Sequence, residues 1–161
     1  MSASYVIFVI NLLQDVNIVR PLVYMAALDL GRPTLLMVSA KFRIRDKSGT
    51  WQKELAGILR DTGATLANFT DEVDAIEILQ DKAGLLIAAS ESHLVNHKLV
   101  HDLMAAAPSS LLKITLQHGF ECVGFLQSQD QNQAHGRNIT FAADIIGGWC
   151  TAERLKDIAP S

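Results

Sequence analysis

At 161 residues the chain suits one domain with a single substantial core, since domains usually run to about 100–150 residues. Hydrophobic residues make up 49% and charged residues 19%, which excludes global disorder and fits a sheet covered on both faces. A formal charge of -3, with Lys41, Arg43, Arg45 and Lys47 as the one basic cluster, offers no general field for a polyanion, so nucleic-acid binding is not expected.

Residues 5–10 are β-branched, aromatic and without polar alternation, the pattern of a strand buried on both faces. The apolar run to residue 13 is too short to span a membrane and has no preceding Lys or Arg, so it is read as neither a membrane helix nor a signal peptide. A helix follows, capped by Asp15 or Asn17, with Pro21 tolerated near its first turn and Gly31 ending it. Residues 33–38 give a second strand, then a basic loop over 41–47 and a helix over about 50–60, stopped by Gly63.

Residues 65–69 read as a weak third strand, and Thr70 or Asp71 can cap a short helix through about residue 79. A fourth strand covers 84–89. Ser90 and Ser92 are candidate caps for a helix to about residue 107, where Pro108 breaks the pattern. Residues 111–116 give a fifth strand, 127–138 a polar surface loop, 143–147 a last short strand, and 151–158 a last short helix.

Five or six strand–helix repeats require right-handed crossovers and a parallel sheet of about six strands, most simply in the doubly wound order 3-2-1-4-5-6. The expected architecture is a Rossmann-like three-layer α/β/α sandwich with its ligands beyond the carboxyl ends of the strands. Cys122 and Cys150 are too few for a disulfide framework and lie outside a CxxC spacing, which suits a reducing, cytoplasmic setting.

Candidate chemistry is sought on that rim. After the first strand, residues 11–15 contain no glycine that would let a pyrophosphate approach the backbone, and no GxxxxGK[ST] loop occurs, so an ordinary NAD or ATP site is disfavoured. Asn11 and Asp15 remain as substrate contacts, and Ser90 and Glu91 occupy the same rim after the fourth strand, where helix amides can receive an anion or a sugar hydroxyl or simply be capped. Arg43 stands with Lys41 and Arg45 after the second strand; if that segment is extended, their alternation points them one way, toward a phosphate, an acidic sugar or solvent.

His93, His97 and His101 recur at intervals of four on the predicted fourth helix, where successive pairs can ligate zinc. Over two such steps the direction drifts by roughly 80°, and no third-ligand motif completes a set, so no metal site is assigned. On that wheel Val95, Leu99 and Leu103 centre the buried stripe.

The most informative stretch is Gln117-His118-Gly119-Phe120-Glu121, where an imidazole and a carboxylate follow a buried strand and flank a glycine suited to a tight turn. His118 can take a proton from a hydroxyl and Glu121 can hold its tautomer; a purely structural turn uses the same residues.

At Ile114-Thr-Leu-Gln-His118-Gly119, then Phe141-Ala-Ala-Asp-Ile-Ile-Gly-Gly-Trp149, the chain resembles the amino-terminal, acceptor-side domain of GT-B glycosyltransferases, nearest to bacterial surface-polysaccharide transferases and related glycerophosphotransferases. The resemblance implies that His118 is the base for an acceptor hydroxyl, with Gly119, Phe120 and Glu121 shaping the site. It further implies a carboxyl-terminal partner domain beyond Ser161 that binds the nucleotide-sugar donor. No cofactor is expected in this domain, and alone it should retain little or no transferase activity. The acceptor would be a sugar or glycan; nothing in the sequence indicates membrane association. Two other readings stay open, a non-catalytic Rossmann-like binding or interaction domain and half of a sugar-nucleotide epimerase.

Overall fold

The computed structural model of the protein describes residues 4–116 and 140–148. The strands are β1 (Ser4–Ile10), β2 (Thr34–Ser39), β3 (Thr65–Phe69), β4 (Ala83–Ala88), β5 (Leu111–Leu116) and β6 (Ile145–Gly147). They form one sheet in the order β3-β2-β1-β4-β5-β6, every pairing parallel. Helices α1 (Asp15–Tyr24), α2 (Ala40–Arg45), α3 (Thr50–Thr62), α4 (Glu72–Leu79) and α5 (Lys98–Ala106) lie between successive strands as far as β5. This is the Rossmann-like three-layer α/β fold that the strand–helix alternation predicts.

The unbroken apolar runs of the central strands follow from two separate cores, one on each face, because successive side chains of a strand point to opposite sides. Val6, Phe8 and Ile10 of β1 join Leu36 and Val38 of β2 under Val16, Val19 and Val23 of α1, Phe42 of α2, and Leu55 and Ile58 of α3. Ile7 and Val9, with Leu35 and Met37, instead face Ala75 and Leu79 of α4 and Val100, Leu103 and Met104 of α5. Each fully buried side chain of this size contributes about 1.5–3 kcal/mol, so the sheet is held from both faces. Among the described residues, no helix is long and apolar enough to cross a membrane.

Gly84 opens β4 beside β1 at φ +132, and a Cβ there would lie 2.1 Å from the carbonyl oxygen of Tyr5. The two central strands can start side by side only with glycine at this position.

Four local expectations need correction. Pro21 lies inside α1 rather than in its first turn, and the helix passes into a π-helical turn over Met25–Asp29, where Leu30 N–H reaches the carbonyl of Met25 at 2.9 Å. The basic segment is not an extended loop: Ser39 accepts the amide of Phe42 and caps α2, so helical rotation spreads Lys41, Arg43 and Arg45 around an axis and Phe42 goes into the core. The helix expected from Ser90 begins only at Lys98: Glu91 and His93 bond to residues distant in sequence, and Ser92 pairs with His97 just ahead of the helix. Val95, placed at the centre of the buried stripe by the longer helix, is 85% exposed in the resulting loop.

Candidate functional site

The order of strands reverses at β1: the chain leaves it toward β2 and β3 and returns on its other side as β4, so the carboxyl ends of β1 and β4 are the switch point at which such sheets bind ligands. On this rim a set of polar side chains is buried, comprising Asn11, Asp15, Ser39, Ser90, Glu91 and Ser92. Polar groups are rarely buried without partners, so where each hydrogen bond goes tells what the rim still has to offer.

Asn11, one residue beyond β1, ties three segments together. Its Oδ1 accepts from Ser39 Oγ at the end of β2 (2.9 Å), and its Nδ2 donates to the carbonyl of Asn96 in the loop after β4 (3.3 Å). Asp15 is the first residue of α1, but its carboxylate does not serve the helix amides that follow it, as a cap would. It turns back, and Oδ2 accepts the amides of Asn11 (2.9 Å) and Leu12 (2.7 Å). Oδ1 is buried with no hydrogen-bond partner among the described residues. Burial pushes the Asp15 pKa up to about 6, against the two amides and the positive charge of Arg45, which favour the carboxylate.

A second buried carboxylate comes from the other side of the switch point. Glu91 follows β4, and its Oε1 receives both His101 Nδ1 from α5 and the amide of Ala142 (3.0 Å), while Oε2 is buried without a partner among the described residues. Ser92 Oγ pairs with His97 Nδ1 at 3.1 Å. His93 Nδ1 accepts the amide of Thr140 at 2.9 Å, and the amide of His93 donates to the carbonyl of Thr140. The loop after β4 is thus strapped to the segment leading into β6.

Of the residues singled out in the sequence, Asn11, Asp15, Ser90 and Glu91 come together on this rim, all buried. Arg43 does not join them: it is exposed on α2 and lines a groove of about 280 Å³ with Val38, Phe42, Leu55, Leu66 and Asn68. His118, Gly119, Phe120 and Glu121 lie outside the described residues. The three histidines spaced by four are on no common helix, since His93 is in the loop, His97 caps α5 and only His101 is within it. Sequence reasoning missed Ser39 and the joining of His101 to Glu91. For Ser39 a signal existed, a hydroxyl at the end of a buried strand; the ten residues separating Glu91 from His101 gave none.

The rim is acidic and rich in hydrogen-bond acceptors. The amides at the end of β1, which in such folds are free for a phosphate, are already occupied by the Asp15 carboxylate, which would itself repel an anion. The two buried carboxylate oxygens without a partner among the described residues can each accept from a donor, a hydroxyl or an ammonium group. Neither protein-family models nor curated proteins yield a match to this chain.

Proposed function

We propose that the chain is the acceptor-side domain of a GT-B-type glycosyltransferase, which moves a sugar or related group from a nucleotide-activated donor to a hydroxyl acceptor in polysaccharide or glycoconjugate synthesis in the cytoplasm. The observation that supports it best is the closure of the β1–α1 turn by Asp15 over the amides of Asn11 and Leu12. A rim closed in this way is poorly suited to a pyrophosphate and well suited to a polyol, which is what an acceptor half needs. In this reading His118 takes the proton of the acceptor hydroxyl and Glu121 assists it, Asn11, Asp15, Ser90 and Glu91 position the acceptor, and a second domain carries the donor.

The test is a pair of titrations and one substitution. UDP-glucose and CDP-glycerol should show no saturable binding to this chain, whereas simple glycosides should perturb the backbone resonances of Asn11 and Ser90. In the protein together with its donor-binding domain, His118→Ala should lower turnover at least ~100-fold, the scale of a lost general base. Saturable nucleotide binding to this chain, or unchanged turnover in His118→Ala, overturns the reading.

A further inference from the structure

We propose that His101, oriented by Glu91, is a binding residue of the same rim, presenting the lone pair of its Nε2 to a hydroxyl of a polyol ligand. The inference takes the ligand class from the acceptor-side reading; the orientation of the ring stands on geometry alone.

Glu91 sits where β4 ends, with a side chain 0% exposed, whereas the side chain of His101 is 19% exposed, so the imidazole bridges a buried carboxylate and the surface. The Glu91 Oε1 that meets His101 Nδ1 also accepts the amide of Ala142, which fixes the carboxylate in place. In the tautomer whose Nδ1 donates to the Glu91 carboxylate, Nε2 carries the ring's lone pair. His93, in the same loop, is set the opposite way, because its Nδ1 accepts an amide hydrogen and its own hydrogen must be on Nε2.

Two further polar atoms are left open at this end of the sheet. Glu91 Oε2 is buried without a partner among the described residues, as is Thr115 Oγ1 on β5, and Thr115 pairs in register with Ala88 of β4. A buried carboxylate whose bonded oxygen orients an imidazole, beside unused acceptors, is costly as a purely structural device. A polyol hydroxyl can donate to Nε2.

Long-range nitrogen–proton NMR of the whole chain reads the tautomers directly. The expected result is a protonated Nδ1 and bare Nε2 for His101 with the reverse for His93. Glu91→Gln should remove the His101 preference while the unchanged His93 pattern reports an intact loop. Methyl glucoside or glycerol should shift His101 Nε2 saturably, and Glu91→Gln and His101→Phe should each weaken that binding about tenfold, the scale of one hydrogen bond. An Nε2–H tautomer, a doubly protonated ring at mildly alkaline pH, or an Nε2 unmoved by either polyol overturns the inference. Polyol shifts at His101 with saturable UDP-glucose binding to the same chain would leave the inference standing and remove the acceptor-side reading. Transfer by the two-domain protein with an unchanged acceptor KM in His101→Phe would do the reverse.

Discussion

Asp15 accepts the amide of Leu12 at 2.7 Å, three residues upstream of itself, so the first turn after β1 is closed by a carboxylate of the chain. The same oxygen takes the amide of Asn11, and its twin is buried with no partner among the described residues. The turn therefore holds a charge at the cost of desolvating it, which makes its protonation a measurable part of the protein's stability.

The sign follows from the two pKa values. The folded-state pKa of about 6 lies above the unpaired value of 3.8, so the folded state holds this proton more tightly than the unfolded chain. Stability is unpenalised below about pH 4, falls as pH rises toward 6, and is lower by up to about 3 kcal/mol above that. Asp15→Asn keeps an oxygen for both amides and cannot ionise. Denaturant unfolding should find it more stable than the parent by about 1–3 kcal/mol at neutral pH, with the gain gone by pH 4. A loss of stability at neutral pH would show that the charged form is needed.

Gly84 sets a second expectation. Because an added Cβ would lie 2.1 Å from Tyr5 oxygen and 2.8 Å from Tyr5 nitrogen, Gly84→Ala must part β1 from β4 at the centre of the sheet. A loss of about 3 kcal/mol or more is expected in thermal or denaturant unfolding. Gly57→Ala is the control: it lies within α3, an added Cβ would meet only Arg60 Nη2 at 3.8 Å, and helix propensity favours alanine by up to ~1 kcal/mol.

The start of α4 offers a smaller effect. Asp71 accepts the amides of Val73 and Asp74, both at 3.0 Å, while Thr70 donates from its amide and hydroxyl to the Asp74 carboxylate. Of the two candidate caps, Asp71 is the one that holds helix amides. Asp71→Ala should cost about 1 kcal/mol, and Thr70→Ala less, in matched denaturant titrations.

These positions show what a sequence makes legible. The strand order was readable because five apolar runs, each bounded by caps or glycine, admit few connections, and residues 111–116 and 65–69 coincide with β5 and β3. Asn11, Asp15, Ser90 and Glu91 were readable as rim residues because topology puts strand ends on one edge. What Asp15 and Glu91 bond to was not readable. Local rules assign an acidic or hydroxyl residue after a strand to the next helix, whereas here Asp15 turns back to β1 and Glu91 reaches His101 and Ala142. Glu91 is held by His101 and Ala142 and α5 starts at Lys98 rather than near Ser90, while the capping hydroxyl of Ser39 turned the expected basic loop into α2.

Ser39 and Asn11 carry the last prediction, because one hydroxyl there serves both the fold and the rim. Ser39 is fully buried; its Oγ donates to Asn11 Oδ1 at 2.9 Å and accepts the amide of Phe42 at 3.1 Å. Removing it leaves a buried carbonyl oxygen and a helix amide unsatisfied together, so Ser39→Ala should cost about 2–3 kcal/mol, more than an exposed cap. Asn11→Ala loses the same bond from the other side, together with its bond to Asn96. If the hydroxyl couples the end of β2 to the rim, the double variant should be less destabilised than the sum of the two singles by about 1 kcal/mol. Additivity within ~0.3 kcal/mol would mean that the two residues act independently. In the coupled case Ser39→Ala should also move the amide resonance of Asn96, which is joined to Ser39 through the Asn11 side chain.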